Sequence, residues 1–289
     1  MTGIYLTALL TSGLAAVLFG LVNRKLRQPA DEQLVWLAFL FALPLQPLAF
    51  YCLRLPLDHW LVGQLGAKSS SYGWLTSLYA PLTEEPAKLI PLLLPAVFRD
   101  IRKENFIRYA FAIGFGFAIG EMWFIAERIT QVPQLAALPF YQFTGYTVER
   151  LMTCVFHTVF VAVALRALRR RFALGFLGAV ALHWLGNFPI SLSAWNVGGL
   201  GKTAWTVILM LWLIAYFVTA LALLSYFIYG QFAPGKFLYG RRHCPGCHQD
   251  FDPSLMGVNM GSTRYERCPH CQRWHWTKPA SVSPTPPGS

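Results

Sequence analysis

Charged side chains are scarce in this chain. Its 289 residues hold 24 Lys+Arg and 13 Asp+Glu. An ordinary soluble domain spends about a quarter of its residues on charge, so that class is excluded. Cysteine is scarce too. There are six, and four of them form two Cys-x-x-Cys pairs near the C-terminus, a metal-site pattern more than a disulfide framework. Cys52 and Cys154 stand alone in apolar runs and read as small packing hydrophobes. No basic residue precedes the first apolar run, which is also too long for a typical signal-peptide core, so that run is expected to be a retained span. No internal repeat of the kind common in transporters is visible.

Apolar residues are abundant. They make up 55% of the chain, with a mean hydropathy of +0.43. That composition predicts an all-α polytopic membrane protein. A span needs about 20 apolar residues, and about seven such stretches are present: Ile4–Val22, Leu34–Leu53, Trp74–Phe98, Phe106–Ile125, Leu151–Leu168, Phe172–Ile190 and Ala204–Tyr229.

The net charge of +11 is placed at the ends of these runs. Topogenic charge, rather than nucleic-acid binding, explains it, and no nucleic-acid partner is expected. Arg24, Lys25 and Arg27 follow the first run. Arg99, Arg102, Lys103 and Arg108 follow the third, Arg166, Arg169, Arg170 and Arg171 the fifth, and Lys236, Arg241 and Arg242 the seventh. The alternate loops hold scattered single charges: Arg54 and Lys68, Arg128 and Arg150, then Lys202. The bias predicts a plasma or inner membrane protein with its N-terminus outside and its C-terminus in the cytoplasm. The half-apolar loop from Glu127 to Tyr146 then lies outside, either on the membrane interface or packed over the bundle mouth.

Residues 1–230 therefore read as a helical membrane domain and 231–243 as a basic linker. Residues 244–277 read as a small cytoplasmic, β-rich zinc ribbon, and 278–289 as a disordered, proline-broken tail. Cys244-Pro-Gly-Cys247 and Cys268-Pro-His-Cys271 have the spacing of a four-thiolate structural zinc site. Nearby His243, His248, His270 and His275 are alternates that read better as surface residues. Arg264, Arg267, Arg273, Trp274 and Trp276 are more consistent with docking on a protein than with nucleic acid.

Ionisable residues inside hydrocarbon cost about 2.5–3.5 kcal/mol each on insertion scales, so they mark function by default. The third run carries Glu84, Glu85 and Lys88, the fourth Glu121, the fifth His157, and the sixth His183 and Asn187. At 1.5 Å per residue, Glu121, His157 and His183 fall roughly 10 Å below the outer surface, and Glu84 and Glu85 about 15 Å. The third run also holds Pro81, Pro86, Pro91 and Pro95. Proline frees carbonyls four residues back, and these need protein or water partners at membrane depth. That segment is expected to line a wet cavity. Gly116 and Gly120 have the spacing of a close helix contact.

Carboxylates and imidazoles without a Ser or Cys nucleophile point to water activation. In one route a Glu takes the proton while other groups hold the oxyanion. In the other, Glu121, His157 and His183 bind a catalytic divalent ion and a further Glu is the base.

The ordered set Glu84-Glu85-x-x-Lys88, Phe117-x-x-x-Glu121, His157 and His183-x-x-x-Asn187 resembles the motifs of PrsW-type intramembrane proteases. These are distant relatives of the CAAX-processing and bacteriocin-processing membrane endopeptidases, which show Glu-Glu-x-x-x-Arg and Phe-x-x-x-His instead. The resemblance covers about Trp74 to Asn187. It implies a protease that cuts a membrane-anchored protein, such as an anti-sigma factor, near its extracytoplasmic side. It leaves metal-dependent and glutamate-type mechanisms both open. On either, Glu84 or Glu85 is the base, Glu121, His157 and His183 bind metal or position water, Asn187 orients a neighbour or donates to the oxyanion, and Lys88 tunes the carboxylates. Two other classes compete: a non-catalytic scaffold or sensor that binds a partner helix, and an ion or proton transporter.

Overall fold

The computed structural model describes residues 2–26, 28–229, 239–253, 257–260 and 262–280. It divides into two compact units, Met1–Ala220 and Leu221–Ser289. The first is helical. Its elements are α1 (Gly3–Lys25), α2 (Glu32–Ala42), α3 (Leu45–Leu65), α4 (Ser70–Ser77), α5 (Tyr79–Lys88), α6 (Pro95–Asp100), α7 (Phe106–Thr130), α8 (Pro133–Ala136), α9 (Thr144–Arg166) and α10 (Phe172–Ala194). The last helix, α11 (Lys202–Tyr229), runs on into the second unit.

Among the described residues, five helices are long and apolar enough to cross a membrane: α1, α7, α9, α10 and α11. A sixth span arises if α2 and α3, bent by 43°, are counted together. The expected third span, Trp74 to Phe98, is not one long helix. It is broken into α4, α5, a 3-10 turn at Ile90–Leu93 and α6. Proline is the cause. Pro91 and Pro95 have no N–H to continue a helix, and Leu94, just before Pro95, is extended with ψ 112°. The second span also differs from expectation. Its helix runs past Leu53 to Leu65 after breaking at Leu43 and Pro44, and α3 carries a π-helical stretch at Ala49–Arg54.

Helix α7 is the axis of the first unit. It is buried without interruption from Phe106 to Gly120, and it packs on α1, α2, α3 and α9. Close approaches at Gly114, Gly116 and Gly120 need glycine. A Cβ on Gly114 would lie 2.5 Å from the Thr158 backbone N of α9. A Cβ on Gly120 would lie 1.9 Å from the Leu43 carbonyl oxygen. Pro47 stands four residues after Leu43 and cannot donate to that carbonyl, so the helix break and the bare Gly120 backbone fit each other. The next residue, Glu121, is positioned by this contact.

The loop after α7 packs back on the bundle. The Thr7 hydroxyl donates to the Phe140 carbonyl at 3.1 Å, and Phe143 joins Ile4, Ala8 and Ala126 in one apolar cluster. At the other end, Arg108 is buried rather than exposed. It donates to Asn23 Oδ1 at 2.8 Å and pairs with Glu32.

The second unit contains a five-stranded antiparallel sheet, in the order β2-β1-β5-β4-β3. The strands are β1 (Arg242–His243), β2 (Asp250–Phe251), β3 (Val258–Met260), β4 (Thr263–Arg267) and β5 (Trp274–Pro279). Strand β1 thus begins inside the expected linker, and β5 takes in Lys278 and Pro279, which the sequence assigned to the tail. Residues 281–289 of that tail, and 231–238 of the linker, lie outside the described residues.

Candidate active site

Helices α3, α4, α5, α7, α9, α10 and α11 line a cavity of about 380 Å³. Five of the seven residues singled out in the sequence line it: Glu84, Glu121, His157, His183 and Asn187. Glu85 and Lys88 stand behind the wall. Both are buried, with Lys88 0% exposed.

The groups form two chains of contact. In the first, Lys88 Nζ donates to Glu85 Oε1 at 2.5 Å, and His183 Nδ1 lies 2.6 Å from the same oxygen. Lys88 also sits over the Phe117 and Phe160 rings, 4.8 and 5.2 Å from their centroids. A carboxylate holding one imidazole nitrogen fixes the ring, so His183 presents Nε2 to the cavity. In the second chain, Glu121 Oε2 lies 2.9 Å from His157 Nε2, and Glu121 Oε1 lies 3.1 Å from Arg150 Nη1. Arg150 is held in turn by Glu149. The two imidazoles are neighbours, with ring centroids 5.7 Å apart.

Glu84 is paired differently. Arg54 Nη2 donates to its Oε1 at 2.5 Å. Among the described residues nothing donates to its Oε2, and His183 Nε2 is 3.9 Å from that oxygen. The Asn187 side-chain amide is likewise unbonded among the described residues and lies one turn from His183 in the same wall.

Arg54 and Arg150 are the functional candidates that sequence reasoning missed. Both were counted as loop charges outside the membrane, yet they are counter-ions of Glu84 and Glu121. The available signal was that each lies at the edge of an apolar run, facing carboxylates at similar depth. Gln46 was missed as well. It is buried, lines the cavity and leaves Oε1 without a partner. Its position follows from the break between α2 and α3.

A divalent ion would require several of these donor atoms to converge. Among the described residues, the groups of three or more such donors whose ligand atoms lie within 4.8 Å of one another are confined to the C-terminal cysteines. In the membrane cavity each carboxylate faces a cationic side chain instead. The residue types suit a divalent ion, but their arrangement does not form its cage.

The four thiols of the second unit do converge. Cys244, Cys247, Cys268 and Cys271 have Sγ atoms within 4.8 Å of one another. Each pair sits on the same backbone turn. His248 N donates to the Cys244 carbonyl at 2.9 Å, and Gln272 N donates to the Cys268 carbonyl at 2.9 Å. Cys244 N reaches the Gln249 carbonyl and Cys268 N the Arg273 carbonyl, both at 3.0 Å. His248 and Gln272 both adopt left-handed φ, near 56° and 57°. Burial pushes the Cys244 thiol up, but the Cys247 and Gly246 amides more than offset this and bring it down to about 7. His275 Nε2 lies 3.6 Å from Cys271 Sγ, and its ring fills the space a Cβ on Gly246 would need. Arg264 is not a surface residue: it is 1% exposed and is bonded to Asn259 and Glu266.

Apolar helices thus set Glu, His and Asn side chains around one cavity. The sequence model of the PrsW family intramembrane metalloprotease matches residues 28–221, well over half of the chain. The chain belongs to the PrsW family, a family of intramembrane proteases, and its C-terminal four-cysteine cluster is compatible with a zinc-ribbon-like module. No curated protein and no solved structure matches it.

Proposed function

We propose that the chain is an endopeptidase that cuts a membrane-anchored protein with water activated by Glu84. The observation that carries this is Glu84 in the cavity wall, with its Oε2 3.9 Å from His183 Nε2. Arg54 pairs with Oε1 and leaves Oε2 to accept a proton from water. His183 Nε2, on a ring that Glu85 holds at Nδ1, takes over the proton that Glu84 removes from water and delivers it to the leaving amine. This is the role a carboxylate-oriented imidazole can serve. The Asn187 amide is a second donor at the same wall. Glu121 and His157 hold each other across from them and position the water. Metal dependence, which the family's description carries, finds no ready ligand cage among these groups, and no step here runs through a metal.

The charge bias along the chain supports a cavity opening towards the outer leaflet and a cytoplasmic C-terminus. Zinc is the ion that best suits four thiolates in a small ribbon, where it would supply folding energy. The test is cleavage of a transmembrane reporter by the purified protein in nanodiscs. Glu84→Gln and Glu121→Gln should each slow it by about 10²-fold or more while the protein remains folded. Unaltered cleavage in both variants would remove this reading.

A further inference from the structure

The sheet of the second unit is inside out. A sheet with one face on a core buries apolar side chains and turns polar ones to water. Here Arg264, Glu266 and Thr277 are buried, and Thr277 Oγ1 donates to Glu266 Oε1 at 2.6 Å. The apolar residues point the other way. Val258, Met260, Tyr265, Trp274 and Trp276 are 37–62% exposed. Register puts them on one face: Val258 pairs with Tyr265, and Tyr265 with Trp276. Tyr265 stacks on Trp274 with ring centroids 5.4 Å apart. Exposed Arg267 and Lys278 lie at the ends of β4 and β5 on this face, and the sole carboxylate of the three strands, Glu266, is buried.

We propose that this face of β3–β5 rests on the lipid headgroups of the membrane that α11 crosses. Three observations select lipid over other occupants. Tryptophan and tyrosine with flanking Arg and Lys form the composition of the headgroup level, where rings meet an apolar layer and cations meet phosphate. A basic face without exposed carboxylate complements an anionic leaflet. The sheet also belongs to the same compact unit as the last turns of α11, so the membrane is the surface always within reach. The zinc-ribbon-like module is then a lipid-bound foot, which fixes the end of α11 against the bilayer.

A spin label tests this on the full chain. Met260→Cys is labelled in a Cys52→Ser background, with zinc bound so that the four ligand thiols are occupied; Cys154 is buried. Collision rates with oxygen and with a water-soluble nickel chelate are measured in nanodiscs containing phosphatidylserine. The label should be shielded from nickel several-fold and open to oxygen. Trp274→Ser with Trp276→Ser should restore nickel access with zinc still bound. Should that pair unfold the module, Lys278→Glu should weaken shielding in anionic nanodiscs without loss of zinc. Three outcomes overturn the proposal. The label is open to nickel whatever the lipid; it is shielded from both probes whatever the lipid, which means a protein covers it; or it is shielded only after a single-stranded oligonucleotide is added.

Discussion

The chain handles buried polarity in two opposite ways. In the second unit four like donors are brought within 4.8 Å by two turns of the same geometry. In the helical unit, unlike charges are spread over four helices, and three carboxylates each meet a cation: Glu84 meets Arg54, Glu85 meets Lys88, and Glu121 meets Arg150. The first arrangement has the geometry of a ligand cage. The second holds a cavity open, with charges arrayed around its wall. A cage fails when one ligand is lost. A wall of separate pairs fails function before fold at some positions and fold before function at others.

The largest effect is therefore expected in the module. Cys268→Ser should remove the metal and unfold residues 239–280, because zinc supplies on the order of 10 kcal/mol or more in comparable sites. Metal analysis and amide exchange would detect this, and a bound, ordered module would contradict it. Reporter cleavage comes next. Glu84→Gln should cost about 10²–10⁴-fold in rate with little change in melting temperature. Lys88→Met should instead act on stability, by about 3–5 kcal/mol, because it removes the cation paired with buried Glu85. An equally stable Lys88→Met protein would dissolve the distinction between the cavity wall and the layer behind it. Arg150→Lys should fall between, slowing cleavage about 10–100-fold through displacement of Glu121. The smallest effect is on pH. The module should hold metal at neutral pH and release it on acidification, since thiolate ligands must be deprotonated. Metal retained at pH 4 would argue against thiolate ligation.

Much of this was legible residue by residue. Equal depth of Glu121, His157 and His183 on successive runs brought them to one level, and i to i+4 spacing placed His183 and Asn187 together. Cys-x-x-Cys spacing pointed to a metal-binding ribbon. The path of the chain between Leu34 and Phe98 was not legible. Hydropathy averages over a window and is blind to whether prolines at 44, 47, 91 and 95 leave one helix or several short ones. That error hid Gln46 and Arg54, whose positions depend on the break. Arg150 was hidden for another reason. A count of loop charges treats an arginine as a topological marker, whereas here it neutralises Glu121 within the bundle. In the ribbon, the strand alternation was not read at all, so Arg264 was grouped with surface residues.

The most direct test of the shared centre is a double-mutant measurement. Single-turnover cleavage of one transmembrane reporter should be compared for Glu84→Gln, Glu121→Gln and the combined variant. Groups that act as one unit are strongly non-additive, so the double variant should be no slower than the slower single. Independent, multiplying losses, or a single variant with full activity, would contradict a common hydrolytic site.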